Sequence, residues 1–154
     1  MIKNINILVI SIANPILVGI YKDNELIETI SNDGKTSDIL PSIFSSILEK
    51  YEIDNISYVN GPGSYMAIKV AYIFLKTLCI TKDIVFKSVD GFEFNNNSPI
   101  KALGKKYFFK ANDDNIIIDF LKEEHTIQDF KLPNNISNIV FYDDTLPNYN
   151  LPAI

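Results

Sequence analysis

The chain's 154 residues suffice for one domain, or one domain with a small appendage, and a 47% hydrophobic share against 21% charged excludes a disordered chain. All 14 cationic residues are lysine, and 19 acids leave a net charge of −5. With no basic surface and no arginine fork, contact with nucleic acid is expected only through a complex.

The first third reads as three short strands, over 5–12, 16–21 and 26–30, separated by Ala13-Asn14-Pro15 and Lys22-Asp23-Asn24. Connections this short dictate antiparallel hairpins. Asn32-Asp33-Gly34 ends the meander. A helical period follows over 37–51, carried by Ile39, Leu40, Ile43, Phe44, Ile47 and Leu48. Thr36, Ser37 or Asp38 is expected to cap it, with Pro41 tolerated near the first turn. A strand over 56–59, a turn at Asn60-Gly61-Pro62-Gly63, a helix over 64–80 and a strand over 84–89 complete this half. The order of three antiparallel strands, helix, strand, helix, strand predicts the α/β ribonuclease-H-like half-domain shared by actin-like ATPases and sugar kinases, spanning 1–93. The polar stretch 94–99 reads as a linker to a small β-rich subdomain over 100–154. That subdomain is expected to hold strands over 102–110, 115–121, 126–130 and 138–142 before a Pro- and Asn-containing tail.

A lone cysteine, Cys79, excludes an internal disulfide and a cysteine-built metal centre, and on its helix it reads as a small core hydrophobe. The single histidine, His125, reads as a turn cap. Asp113-Asp114, Glu123-Glu124 and Asp143-Asp144 read as solvated loop acids. Lys3, Asn4 and Asn6 interrupt the early apolar residues, and no run approaches the ~20 needed to span a bilayer. A cytoplasmic protein without membrane contact is expected.

Nucleases of this fold hold metal ions with carboxylates on the first strand and the strand after the first helix. Here those positions offer Ser11 and Asn60, which excludes that chemistry. Related ATPases add a glycine-rich hairpin for phosphate. The corresponding turn, Ser11-Ile12-Ala13-Asn14-Pro15, has no acid, no glycine and a proline without an N–H. Asp33-Gly34-Lys35-Thr36 imitates the end of a P-loop, but Thr29 stands where that motif requires glycine, so it reads as a turn and helix entry. Catalytic and metal-ligating residues are therefore expected to be absent.

Asn60-Gly61-Pro62-Gly63-Ser64-Tyr65 allows two readings. One is a tight turn with Ser64 as N-cap. The other is an anion cradle at a helix start, with Lys69 little more than a turn in. The helix that follows has only Lys69, Lys76 and Thr77 clearly polar between Tyr65 and Ile80, so it should be covered on more than one side. Either the appended subdomain or another protein covers it. With the first helix it reads as a docking face built from Ile39, Ile43, Phe44, Ile47, Tyr65, Ile68, Lys69, Tyr72 and Lys76.

Residues 58–69, Tyr-Val-Asn-Gly-Pro-Gly-Ser-Tyr-Met-Ala-Ile-Lys, resemble the G-x-G-P-G-S-F-T-G-[LV]-R signature of the TsaB (YeaZ) family. Members of that family are non-catalytic partners in bacterial threonylcarbamoyladenosine synthesis on tRNA. Ile39-Leu40-Pro41 stands where the family has L-L-P, and Ala102-Leu103 through Tyr107 echoes its D-A-R-x-x-E-V-Y segment. The chain departs from the family in placing Ser11 for the strand-one acid, Lys35 for a histidine, Met66 for the signature threonine, Ala67 for its second glycine and Lys69 for its arginine. The resemblance implies an actin-like fold that works by binding, with no cofactor of its own. Its implied partner is TsaD, the ATP- and metal-using transferase, joined by the ATPase TsaE, with tRNA reached only through the complex and a homodimer when alone. Gly61, Gly63, Ser64 and Lys35 would then be candidates for anion or nucleotide contact within the complex. The rival expectation is a divergent ATPase or small-molecule kinase. A peptidase is excluded by the single histidine and the lack of a metal motif.

Overall fold

The computed structural model describes residues 1–150, and the last four residues of the expected tail lie outside the described residues. β1 (Ile2–Ile10), β2 (Ile16–Lys22) and β3 (Glu25–Asn32) form the expected antiparallel meander. Asp23 and Asn24, both at positive φ, make the two-residue turn between β2 and β3, a conformation that short Asx side chains tolerate. α1 (Thr36–Lys50) crosses over to β4 (Tyr51–Val59), which lies parallel to β1, and α2 (Tyr65–Lys82) crosses over to β5 (Val85–Val89), parallel to β4. The sheet order is β3-β2-β1-β4-β5.

Helix entries differ from expectation. α1 is capped by none of Thr36, Ser37 and Asp38: Lys35 takes the N-cap position and gives no side-chain hydrogen bond. Pro41 is the sixth helical residue, beyond the first turn, so it forfeits the bond its N–H would have made to the Ser37 carbonyl. α2 starts as predicted, with Ser64 Oγ accepting from the Ala67 N–H. It ends on Asp83 in the left-handed conformation. β4 begins directly at Tyr51, five residues ahead of the predicted strand, because Tyr51 and Ile53 alternate with Glu52 and Asp54 and so bury one side.

β1 is the central strand. Ile5, Ile7, Leu8, Val9 and Ile10 are all buried, so both sheet faces are covered. One face meets Leu40, Ile43, Phe44 and Ile47 of α1 and Ile68, Ala71, Leu75 and Cys79 of α2, with Phe44 and Phe74 joining the helices at 6.0 Å. The other is crossed by the segment 131–142. The chain then rounds the β5 edge, so that 143–149 reach Tyr58 and the start of α2, and the whole of 131–149 forms a strap. This strap bridges Glu25 to Asn135 at the β3 edge and Ser88 to Tyr142 at the β5 edge. Tyr21 Oη donates to the Pro133 carbonyl at 2.7 Å, and Tyr58 Oη donates to the carbonyl of Thr145.

The reduced second β unit is a three-stranded antiparallel sheet of β6 (Ile100–Lys101), β7 (Lys106–Lys110) and β8 (Ile116–Phe120). The strand expected over 102–110 is split, because Gly104 at φ +59° turns the chain and Ala102 pairs back to Lys106. The strands expected over 126–130 and 138–142 do not form. Gln128 N–H donates to Ser98 Oγ instead of to a ladder, and only Tyr142 of the later stretch pairs with β5. The stretch 94–99 is a packed turn rather than an exposed linker: Phe94, Asn95 and Ser98 are buried, and Asn95 Nδ2 donates to the Ser98 carbonyl. Lys110 Nζ reaches Asp90 at 2.8 Å and so ties β7 to the end of β5. His125 caps its turn as expected, its Nδ1 accepting from the Lys122 N–H.

Candidate functional site

The starts of α1 and α2 and the end of β1 enclose a cleft of about 500 Å³. Parallel order places them there: in a crossover unit each helix begins beyond the carboxyl end of a strand, and the two helices share a sheet face. Ser11, just after β1, is 3% exposed, and its Oγ has no hydrogen-bond partner among the described residues. Lys35, Thr36 and Ser37 from the first helix entry and Ser64 and Met66 from the second line the cleft, with Asp33 as its one acid.

Of the four residues considered for anion contact, the structure brings Lys35 and Ser64 together on this cleft and sends the two glycines elsewhere. Gly61 has φ +142°, and a Cβ there would stand 1.9 Å from the Asn148 carbonyl oxygen. Its own carbonyl accepts from the Gly91 N–H. Gly63 is buried against Ile12. Both serve close packing and neither lines the cleft.

The expected docking face is also divided. Ile43, Phe44, Ile47 and Ile68 are buried within the chain against the sheet, a correction to their reading as surface. Ile39 is half-buried over Gly34. Tyr72 is half-buried beside Tyr58 and Phe86, with ring centroids at 6.2 and 6.3 Å. Tyr65 is partly covered by Tyr149 of the strap at 4.3 Å. Lys69 and Lys76 are exposed, each ammonium 5.9 Å from the ring of Tyr65 and Tyr72 respectively. The face that stays open consists of Met66, Ile73 and Ile80, between 55% and 72% exposed. Sequence reasoning passed over these three. Their spacing of seven, which keeps side chains in line along a helix, is the signal that finds them.

Cys79 lies in the core, where burial pushes its thiol from 9.0 up to about 12, so it has none of the thiolate character of a nucleophile. Among the described residues no group of three or more His, Cys, Asp or Glu is placed to hold a metal ion, and no helix is long and apolar enough to cross a membrane.

The five-stranded sheet with two crossover helices on one face, followed by a smaller β unit, defines an α/β protein of the actin-like, ribonuclease-H-like fold. Among solved structures the chain shares this fold with YeaZ from Pseudomonas aeruginosa, at 9% identity and a TM-score of 0.59, covering 80% of this chain and 67% of that one. A second likeness is to an uncharacterized protein with similarity to peptidase YeaZ from Pseudomonas aeruginosa, at 10% identity and a TM-score of 0.54, covering 97% of this chain and 69% of the other. No family model matches the sequence, and no curated protein matches it.

Proposed function

We propose that this chain is a non-catalytic scaffold subunit of the TsaB type, which docks through α2 on a TsaD-type transferase and supports threonylcarbamoyl transfer to the adenosine next to the tRNA anticodon. The observation that carries this reading is the open stripe of Met66, Ile73 and Ile80. Three large apolar side chains in line on one helix lose water favourably only against another surface. Lys69 and Lys76 beside the stripe offer charge to a partner's acids. The YeaZ-like fold and the Gly-Pro-Gly-Ser turn support the choice of partner. In this reading ATP and metal belong to the transferase, a TsaE-type ATPase joins the assembly, and tRNA is reached only through it. Alone, the cytoplasmic chain pairs with a second copy through the same stripe.

The test is sedimentation of the purified chain with the TsaD of its own genome. A complex is expected for the wild type. The double variant Ile73→Asp, Ile80→Asp is expected to lose at least a hundredfold in affinity while keeping its circular dichroism, since two charges would be buried unpaired. Absence of a wild-type complex, or ATP turnover by the isolated chain, overturns the scaffold reading and favours the ATPase or kinase alternative.

A further inference from the structure

We propose that the cavity between the β1–β2 turn and the small β unit binds a zwitterionic α-amino acid with a large apolar side chain. The cavity has a volume of about 410 Å³, and no residue of α1 or α2 lines it. That size falls within the range of roughly 300–1,000 Å³ usual for small-molecule sites. Its walls come from three places that only the tertiary structure brings together: the β1–β2 turn with the start of β2, the strands β6 and β7, and the segment 127–130. The last of these is pinned in place. The Gln128 N–H donates to Ser98 Oγ at 3.0 Å, and the Lys131 N–H donates to the Phe94 carbonyl at 2.9 Å.

Two opposite charges border this cavity, Lys101 and Asp129. They form no ion pair with each other, and among the described residues neither is ion-paired elsewhere. A simple anion would meet Asp129 and a simple cation would meet Lys101, so each would gain one partner and face one like charge. A molecule carrying both signs satisfies both, its carboxylate accepting from the Lys101 ammonium and its own ammonium donating to Asp129. Asn14, Tyr107 and Gln128 add neutral donors and acceptors to the lining. The rest is apolar. Ile12 and Ile100 are buried in its floor, and Leu17 and Phe130 are half-buried, a surface that an aliphatic or aromatic side chain takes out of water. An apolar cavity with a few convergent polar groups is the usual build of a small-molecule site. The assignment does not depend on docking through Ile73 and Ile80, which lie outside the cavity.

The test is titration of L-phenylalanine into the isotope-labelled full chain, read by backbone amide shifts, beside glycine, N-acetyl-L-phenylalanine and L-phenylalanine amide. Saturable shifts at Lys101, Tyr107, Asp129 and Phe130 are expected for phenylalanine, with a dissociation constant on the order of 1 mM. Glycine lacks the apolar side chain and each derivative lacks one charge, so all three should bind at least about tenfold more weakly. Lys101→Ala and Asp129→Ala should each weaken phenylalanine binding about tenfold. Their circular dichroism should be unchanged, because both side chains are exposed. Ile73→Asp should leave binding as in the wild type, which separates this site from the docking surface. Absence of saturable shifts at the cavity residues overturns the proposal. So does binding of glycine or of either derivative as tight as that of phenylalanine, and phenylalanine binding unaltered in either charge variant.

Discussion

Gly61 shows how one residue in the signature turn serves the fold rather than a ligand. Its φ of +142° is open to glycine, and an added Cβ would meet a backbone oxygen of the strap, which cannot swing aside as a side chain can. Gly61→Ala is therefore expected to cost about 3 kcal/mol or more, seen as a drop of roughly 6 °C or more in Tm. A melting point within a degree or two of the wild type would show that the turn and the strap are not in register. Ser11 is the opposite case. Its residue type is legible in the sequence as a missing acid, whereas the lack of any partner for its hydroxyl is visible only once β1, α1 and α2 are in place.

At the scale of elements, both helices are amphipathic by different margins. α1 buries Leu40, Ile43, Phe44 and Ile47 and turns serines and charges outward, so its apolar positions are used up within the chain. α2 buries Ile68, Ala71, Leu75 and Cys79 and still presents Met66, Ile73 and Ile80 to water. The surplus was readable from composition, but its location was not, because a helix that is apolar nearly all round carries no mark of which side meets the sheet. Two aspartates separate the roles. Ile43→Asp puts a charge into the core and should lower stability by about 4 kcal/mol or leave the chain unfolded, whereas Ile73→Asp should stay within about 0.5 kcal/mol of the wild type. Urea denaturation of both variants measures this, and equal losses would mean that α2 is rotated from the position described.

The whole molecule is held by a strap from outside the half-domain it covers. Burial raises the pKa of Tyr21 and Tyr58, whose hydroxyls hold the strap at Pro133 and Thr145, and that of Cys79 on the buried side of α2. The folded state keeps these protons where the unfolded chain releases them. Stability is therefore full below the unfolded values and falls as pH rises toward the folded ones, with Cys79 acting first, between 9.0 and about 12, and the tyrosines joining above about 10. Each group contributes a slope of up to about 1.4 kcal/mol per pH unit. Urea unfolding from about pH 7 to about pH 11 should show the decline, and Cys79→Ala should delay its onset to the tyrosine range; an unchanged free energy across that span would refute it. The meander, the two crossover helices and the ribonuclease-H-like order were written in the sequence by itself, since period, turn residues and connection length act over a few neighbours. The strap, the split of β6 from β7 and the division of apolar residues between core and open stripe were decided only by tertiary structure. Pairings such as Glu25 with Asn135 join residues more than a hundred positions apart, and no local pattern specifies which irregular segment will cover the second face of a sheet.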